Sequence, residues 1–228
     1  MRTYGDACGI TRALDLIGER WALPVVRELL LGPRRYSDLR EALPGISTNI
    51  LGSRLKELTE AGVVHRRRLG PPAAATVYEL TAWGAQLEPI LLQLGRWAAH
   101  TPVDLREQAF SVSSFALSLR TTFDADTAGE VELHLWFVIG EEILDARIQR
   151  GDFQIQRLPQ SSDSPPPSRD RPPRIDSDPK TLAAIIHAGL PPAEAADQGA
   201  LRVEGSPDVL PAFARCFKLP EPPVEGHP

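Results

Sequence analysis

The side chains of this chain that are best placed to do chemistry are hydrogen-bonding and cationic. Ser47, Thr48, Asn49 and Ser53 stand at the start of STNILGSRLKELTEAG, with Arg54 and Lys56 close behind. Arg66, Arg67 and Arg68 follow in VVHRRRL, and Arg35 lies upstream in LLLGPRRYSDL. Short polar side chains at a helix start suit base edges in a major groove, because they let the backbone come close. Arg and Lys suit phosphates, and the free amides of a helix start add to that attraction. The chemistry this set implies is the gripping of double-stranded DNA. Nothing comparable points to catalysis. There is no phosphate-binding glycine loop, HExxH, GxSxG or CxxC, and the five histidines are scattered without ligand spacing. The chain is expected not to be an enzyme and to need no cofactor or metal.

A row of elements must position these residues. Ile10, Leu14 and Ile17 recur at helical spacing before Gly18, and RWALPVVRELLLG gives a second helix with Pro24 in its first turn. Tyr36 to Leu43 is a short third helix, with Ser37 as its expected N-cap. Ser47 caps the fourth, in which Leu51, Leu55 and Leu58 make an inward stripe. Thr48, Asn49, Ser53, Lys56 and Glu57 then face outward, with Arg54 on the border. VVHRRRL and VYEL read as two strands of a hairpin whose tip is LGPPAAAT. One long helix from Thr81 to Thr101, bent at Pro89, closes the segment with Leu87, Leu91, Leu94 and Trp97 along one side. Helices followed by a recognition helix and a basic hairpin predict a winged helix-turn-helix over residues 1–101.

The charge distribution agrees. Of 228 residues, 42% are hydrophobic and 24% charged, and the net charge is −5. Residues 1–100 hold 13 basic against 10 acidic residues, and the remainder holds 12 against 20. A positive half joined to an acidic one fits a DNA-binding module followed by a different domain. Two cysteines, Cys8 and Cys216, make no disulfide framework, and MRTYGDACGITRALD holds no apolar signal core. No apolar run is long enough to span a membrane. A cytoplasmic protein without membrane partners is expected.

The stretch from Cys8 to His100 resembles the HxlR family of bacterial winged-helix regulators. LDLIGERW, LLLGPRRYSDL, LPGIS, LKELTEAGVV and YELTAWGAQLEP carry the likeness. It implies transcription regulators that bind palindromic operators as homodimers, with the N-terminal segment and the long last helix forming the interface. Leu87, Leu91, Leu94 and Trp97 are the expected seam. A cysteine at the place of Cys8 senses oxidants or electrophiles in several members, and Arg12 one turn away would favour its thiolate. The other reading of Cys8 is a small residue packed in the dimer. The chain departs from the family in having Thr59 where an acidic residue is usual. It also has AAAT before Val77 in place of a Pro-Arg-Val-Glu-like entry, so its wing tip is expected to hold DNA less firmly.

Residues 105–220 read as a second domain. FALSLRTTF, VELHLWFVI, ILDARIQRG and FQIQRL alternate as strands of an antiparallel meander, with Gly151-Asp152 as a hairpin turn. QSSDSPPPSRDRPPR, Gln160 to Arg174, is an expected exposed loop. DPKTLAAIIHAG is a capped helix, PAEAADQG a short one, LRVEG a strand and SPDVLPAFARCF a final helix. The whole chain is therefore α+β. This order resembles the sterol-carrier-protein-type fold, which implies an apolar tunnel for a hydrophobic small-molecule effector. Its expected lining is Phe115, Leu117, Leu133, Leu135, Ile185 and Phe213, with His134 or Trp136 as a polar group that orients the ligand. Two alternatives stay open: a dimerisation or interaction module with a filled core, or a chain that chiefly binds a lipid or other small molecule.

Overall fold

A computed structural model describes residues 3–70, 74–99, 101, 104–105, 107–159 and 171–220. The chain divides into two compact units, Met1–Gln93 and Leu94–Pro228.

The first unit opens with α1 (Gly9–Ile17), α2 (Ala22–Leu29), a two-residue β1 (Arg34–Arg35), α3 (Tyr36–Ala42) and α4 (Thr48–Glu60). The hairpin β2 (Val64–Arg68) and β3 (Thr76–Leu80) follows, then α5 (Ala82–Ala85) and α6 (Glu88–Ala98), the last running into the second unit. The strands form an antiparallel sheet in the order β1-β3-β2. Residues 71–73 of the expected wing tip lie outside the described residues. Val25, Val26, Leu39, Leu51, Leu55, Leu58, Val63 and Val64 are each no more than 2% exposed and make the core. Each buried side chain of this size is worth about 1.5–3 kcal/mol, so the stripe on α4 fixes which face of that helix remains outside.

Two expectations fail here for local reasons. Ser37 does not cap α3. The helix begins at Tyr36, and the Asp38 carboxylate accepts the Arg35 backbone N–H at 3.0 Å. The single long helix from Thr81 is two helices. Thr81 caps α5, its hydroxyl accepting the Gly84 N–H at 2.9 Å and donating to the Gly62 carbonyl at 2.7 Å. That anchorage presses Gly84 against the Val63 carbonyl, which a Cβ would approach to 2.0 Å, so only glycine fits. The chain breaks at Gln86–Leu87, and Pro89 falls in the first turn of α6, where its missing N–H costs nothing.

The second unit contains α7 (Val112–Thr122), α8 (Ala125–Ala128), β4 (Leu133–Ile139), β5 (Glu142–Gln149), β6 (Asp152–Arg157), β7 (Arg174–Ser177), α9 (Pro179–His187), α10 (Pro192–Asp197), β8 (Leu201–Glu204) and α11 (Val209–Ala214). Its sheet runs β6-β5-β4-β7-β8. The segment expected as a first strand is the helix α7. Ser111 caps it by accepting the Ser114 N–H at 3.0 Å, and Phe115, Ala116, Leu119 and Thr122 are buried at helical spacing, leaving Leu117 half-buried. The sheet is mixed rather than a pure antiparallel meander, because β7 runs parallel to β4 and antiparallel to β8. β7 includes Arg174, assigned above to the proline-rich loop, of which residues 160–170 lie outside the described residues. The β5–β6 turn is centred on Arg150 (φ 53°) and Gly151 (φ 74°), one residue earlier than expected; two successive positive φ values match the twist of a tight hairpin. Six phenylalanine rings, Phe115, Phe123, Phe137, Phe153, Phe213 and Phe217, pack against one another with centroids 4.6–5.9 Å apart.

Candidate nucleic-acid interface

The start of α4 is held at three points. Ser47 has extended backbone, and its hydroxyl accepts the Ile50 N–H at 3.3 Å. The Ser47 carbonyl accepts the Leu51 N–H at 2.9 Å, and the Tyr36 hydroxyl donates to the Thr48 carbonyl at 2.7 Å. Helix geometry leaves the amides of Thr48 and Asn49 without an intrahelical acceptor, so they open toward an anion. Ser47, Thr48, Asn49, Ile50, Gly52, Ser53 and Lys56 are all exposed. The sequence pattern had picked out the polar members of this surface and missed Ile50 and Gly52. Ile50 is out of phase with the leucine stripe, and that was its signal.

The charged members are less uniform than the sequence suggests. Arg54 is only 15% exposed along its side chain, pairs with Glu57 and has Glu19 at 3.9 Å. The Ser53 hydroxyl donates to the same Glu57 at 2.9 Å. Lys56 is open, with Glu60 at 3.8 Å. On the hairpin, Arg67 donates to Glu79 at 2.9 Å, and His65 lies 3.7 Å from the same oxygen. Arg66 and Arg68 are exposed on the other face of β2, and neither makes an ion pair among the described residues. Arg35 is exposed on β1, paired through its backbone with Val77 of β3. The fold thus brings Arg35 and the hairpin arginines onto one three-stranded sheet and gathers the short polar residues at one helix start.

The expected seam residues separate. Leu91 is 8% exposed and Leu87 half-buried, whereas Leu94 is 44% and Trp97 77% exposed. Ile90, 50% exposed, continues the open stripe as Ile90, Leu94 and Trp97. α1 buries no residue, and its Ile10 and Leu14 are exposed at 72% and 40%. Cys8 precedes α1 and is exposed. Hydrogen bonds from the amides of Ile10 and Thr11 at the helix start, with the Thr11 hydroxyl, lower its thiol pKa. Cys216 is buried, which raises its thiol pKa.

Of the expected lining of an apolar tunnel, Phe115, Leu135 and Phe213 are fully buried, Ile185 is 5% exposed, and Leu117 and Leu133 are half-buried. His134 and Trp136 do not face that core. They alternate with Leu133, Leu135 and Phe137, and on the opposite face of the sheet they donate to Asp145 at 2.6 and 2.7 Å, joined by Arg147 at 3.0 Å. Burial pushes the Asp145 carboxyl up, but the bonds from His134 and Trp136 outweigh it and hold it below the usual range. Among the described residues no group of three or more His, Cys, Asp or Glu could hold a metal ion, and no helix is long and apolar enough to cross a membrane.

The model of the HxlR-like helix-turn-helix family matches residues 16–103. Over 87 residues the chain is 39% identical to the uncharacterized HTH-type transcriptional regulator YvaP of Bacillus subtilis (strain 168), spanning 38% of this chain and 81% of that protein. Over 86 residues it is 34% identical to the HTH-type transcriptional regulator YodB of the same organism, spanning 38% and 77%. The solved reduced form of YodB aligns at 31% identity with a TM-score of 0.39, covering 43% of this chain and 100% of that one. By the family model and the identity to YvaP, the chain is a member of the HxlR-like helix-turn-helix family of transcriptional regulators.

Proposed function

We propose that the chain is a sequence-specific DNA-binding regulator that acts as a homodimer on a palindromic operator. The observation that carries this is the exposed start of α4, pinned by Ser47 and Tyr36 and made of small polar side chains beside a basic hairpin. Asn49, Thr48 and Ser53 face base edges, while Lys56, Arg35, Arg66 and Arg68 hold phosphates. Arg54 would have to exchange its Glu57 pair for a phosphate, and Arg67 its Glu79 pair. Replacing Asn49 by Ala is expected to cost about 1–3 kcal/mol at one operator position and to relax the preference there. Replacing Arg68 by Ala should weaken every sequence alike and flatten the salt dependence by about one unit. Binding to a site selected from random duplexes measures both. Identical sequence profiles for the two variants would overturn this division.

One recognition helix covers few base pairs, so tight binding calls for two, set about one helical turn apart by two-fold symmetry. The open apolar faces of α1 (Ile10, Leu14) and α6 (Ile90, Leu94, Trp97) support these as the seam. Trp97→Glu is expected to shift sedimentation toward a monomer and to weaken operator binding by about tenfold or more, since burying such a side chain is worth about 1.5–3 kcal/mol. A variant that stays dimeric removes Trp97 from the seam.

For the second unit, the order of helix, three-stranded meander, parallel β7, helices and β8 supports the sterol-carrier likeness. Operator binding by the full chain across a panel of lipophilic compounds tests the hydrophobic effector this implies, and an unchanged affinity throughout leaves the interaction-module reading.

A further inference from the structure

We infer that Ile50 is a specificity-determining residue that reads the 5-methyl group of a thymine. The inference rests on the DNA-binding surface proposed above and adds a contact that its polar residues do not supply. Ile50 is 42% exposed in the first turn of α4, beside Asn49 and one turn before Ser53. It lies about 100° around the helix from Leu51, so it cannot join the Leu51, Leu55 and Leu58 stripe unless α4 rotates. The cap uses only its backbone, since the Ser47 hydroxyl accepts the Ile50 N–H, a bond that any residue but proline would make. A β-branched side chain is also a poorer helix former than alanine or leucine. Neither the cap nor the leucine stripe among the described residues asks for isoleucine here.

Single exposed apolar residues are ordinary on protein surfaces, and what sets Ile50 apart is its company. Its exposed neighbours are Thr48, Asn49 and Ser53, the side chains suited to base edges. Thymine methyls are the apolar groups on an otherwise polar groove floor, and an isoleucine at the helix start is complementary to one. Gly52 points the same way. It sits inside α4, its φ is not in the left-handed region, and a Cβ there would meet nothing within 4 Å. Alanine would make a better helix, so the fold has no need of this glycine. By helical projection Ile50 and Gly52 flank the Asn49–Ser53 strip on its two sides. A missing side chain on one flank lets the backbone approach a DNA strand, and an apolar side chain on the other meets a methyl.

The test uses the full chain and a binding site selected from random duplexes. Each thymine of the site is replaced in turn by deoxyuridine, which removes the methyl and keeps the hydrogen-bonding groups. In the wild type, one symmetry-related thymine position should lose about fourfold in affinity per half-site, the worth of one buried methyl. Ile50→Ala should bind thymine and deyoxyuridine duplexes equally at that position, Ile50→Val should keep the preference, and Asn49→Ala should keep it too. Gly52→Ala should raise the thermal midpoint and weaken binding to all sequences. If each replacement costs wild type and Ile50→Ala the same, the methyl reading is overturned. A chain that selects no site at all overturns the DNA-binding reading itself, a different and separable result.

Discussion

Replacing Phe213 by Ala is expected to cost the second unit about 3–5 kcal/mol, the range for truncating a fully buried aromatic ring. Phe213 has no exposed surface. Its ring lies 5.3 Å from Phe137 of β4, 5.9 Å from Phe153 of β6 and 4.6 Å from Phe217, so one side chain ties α11 to two strands and to the segment that follows it. The Phe137 contact is edge-on at 71°, and Phe137 in turn meets Phe115 of α7 at 89°, geometries that add about 0.5–1.5 kcal/mol per pair beyond the area buried. Denaturant unfolding of the full chain, followed by near-ultraviolet circular dichroism, measures the loss. A change below about 1 kcal/mol would mean that the cluster closes over the gap, and the core would then be soft enough to admit an apolar effector. A large loss means a rigid, filled core.

The first unit was legible because its sequence is punctuated. Gly18, Pro44-Gly45 and Gly62 stand within three residues of the ends of α1, α3 and α4, α2 ends at Leu29 ahead of Gly32-Pro33, and Ser47 starts α4 where a short hydroxyl caps an amide. What failed there was tertiary. The Thr81 to Thr101 pattern is helical throughout, and the break comes from the docking of Thr81 and Gly84 on the Gly62–Val63 backbone, which no periodicity encodes. In the second unit, Phe115 and Leu119 belong to a period-2 and a period-3.6 pattern alike. Leu117 seemed to favour the strand, while the Ser111 cap and buried Ala116 and Thr122 were the helical signal passed over. β7 has one apolar residue, Ile175, in four, and it is a strand because β4 and β8 supply backbone partners on both sides.

The site was legible to a similar depth. Residue types gave the polar start of α4 and the basic hairpin, but ion pairing depends on distant carboxylates. Glu19, Glu57 and Glu79 decide which arginines are already engaged, and their proximity arises only on folding. The open apolar stripe on α6 also differs from the pattern expected in the sequence. After the break between α5 and α6, Leu87 is half-buried and Leu91 buried, and Ile90 is exposed beside Leu94 and Trp97.

Stability is expected to fall by up to about 3 kcal/mol as pH drops from 6.5 toward 4, with His187 as the cause. This residue ends α9 with its ring largely buried. Its Nε2 lies 3.4 Å from the Ser118 hydroxyl, and that hydroxyl donates to the Phe115 carbonyl at 2.8 Å. Ser118 is therefore the acceptor, Nε2 carries the proton of the neutral ring, and Nδ1 is buried without a hydrogen-bond partner among the described residues. A second proton would sit on Nδ1 as a buried charge with no acceptor. Burial accordingly lowers the pKa from 6.5 to about 4. Between those values the unfolded chain binds the proton and the folded chain does not, so stability is complete above 6.5 and declines below it. A shift of this size corresponds to about 1.4 kcal/mol per pH unit across the window. The lowered carboxyls Asp124, Asp145 and Asp178 act elsewhere. Their contributions are present above the ordinary aspartate value of 3.8 and are lost below it. Denaturant midpoints taken at half-unit steps from pH 7.5 to 3 should therefore show two separate declines. His187→Gln should remove the upper one and leave the lower in place, and an upper decline that persists in this variant would assign it to another group.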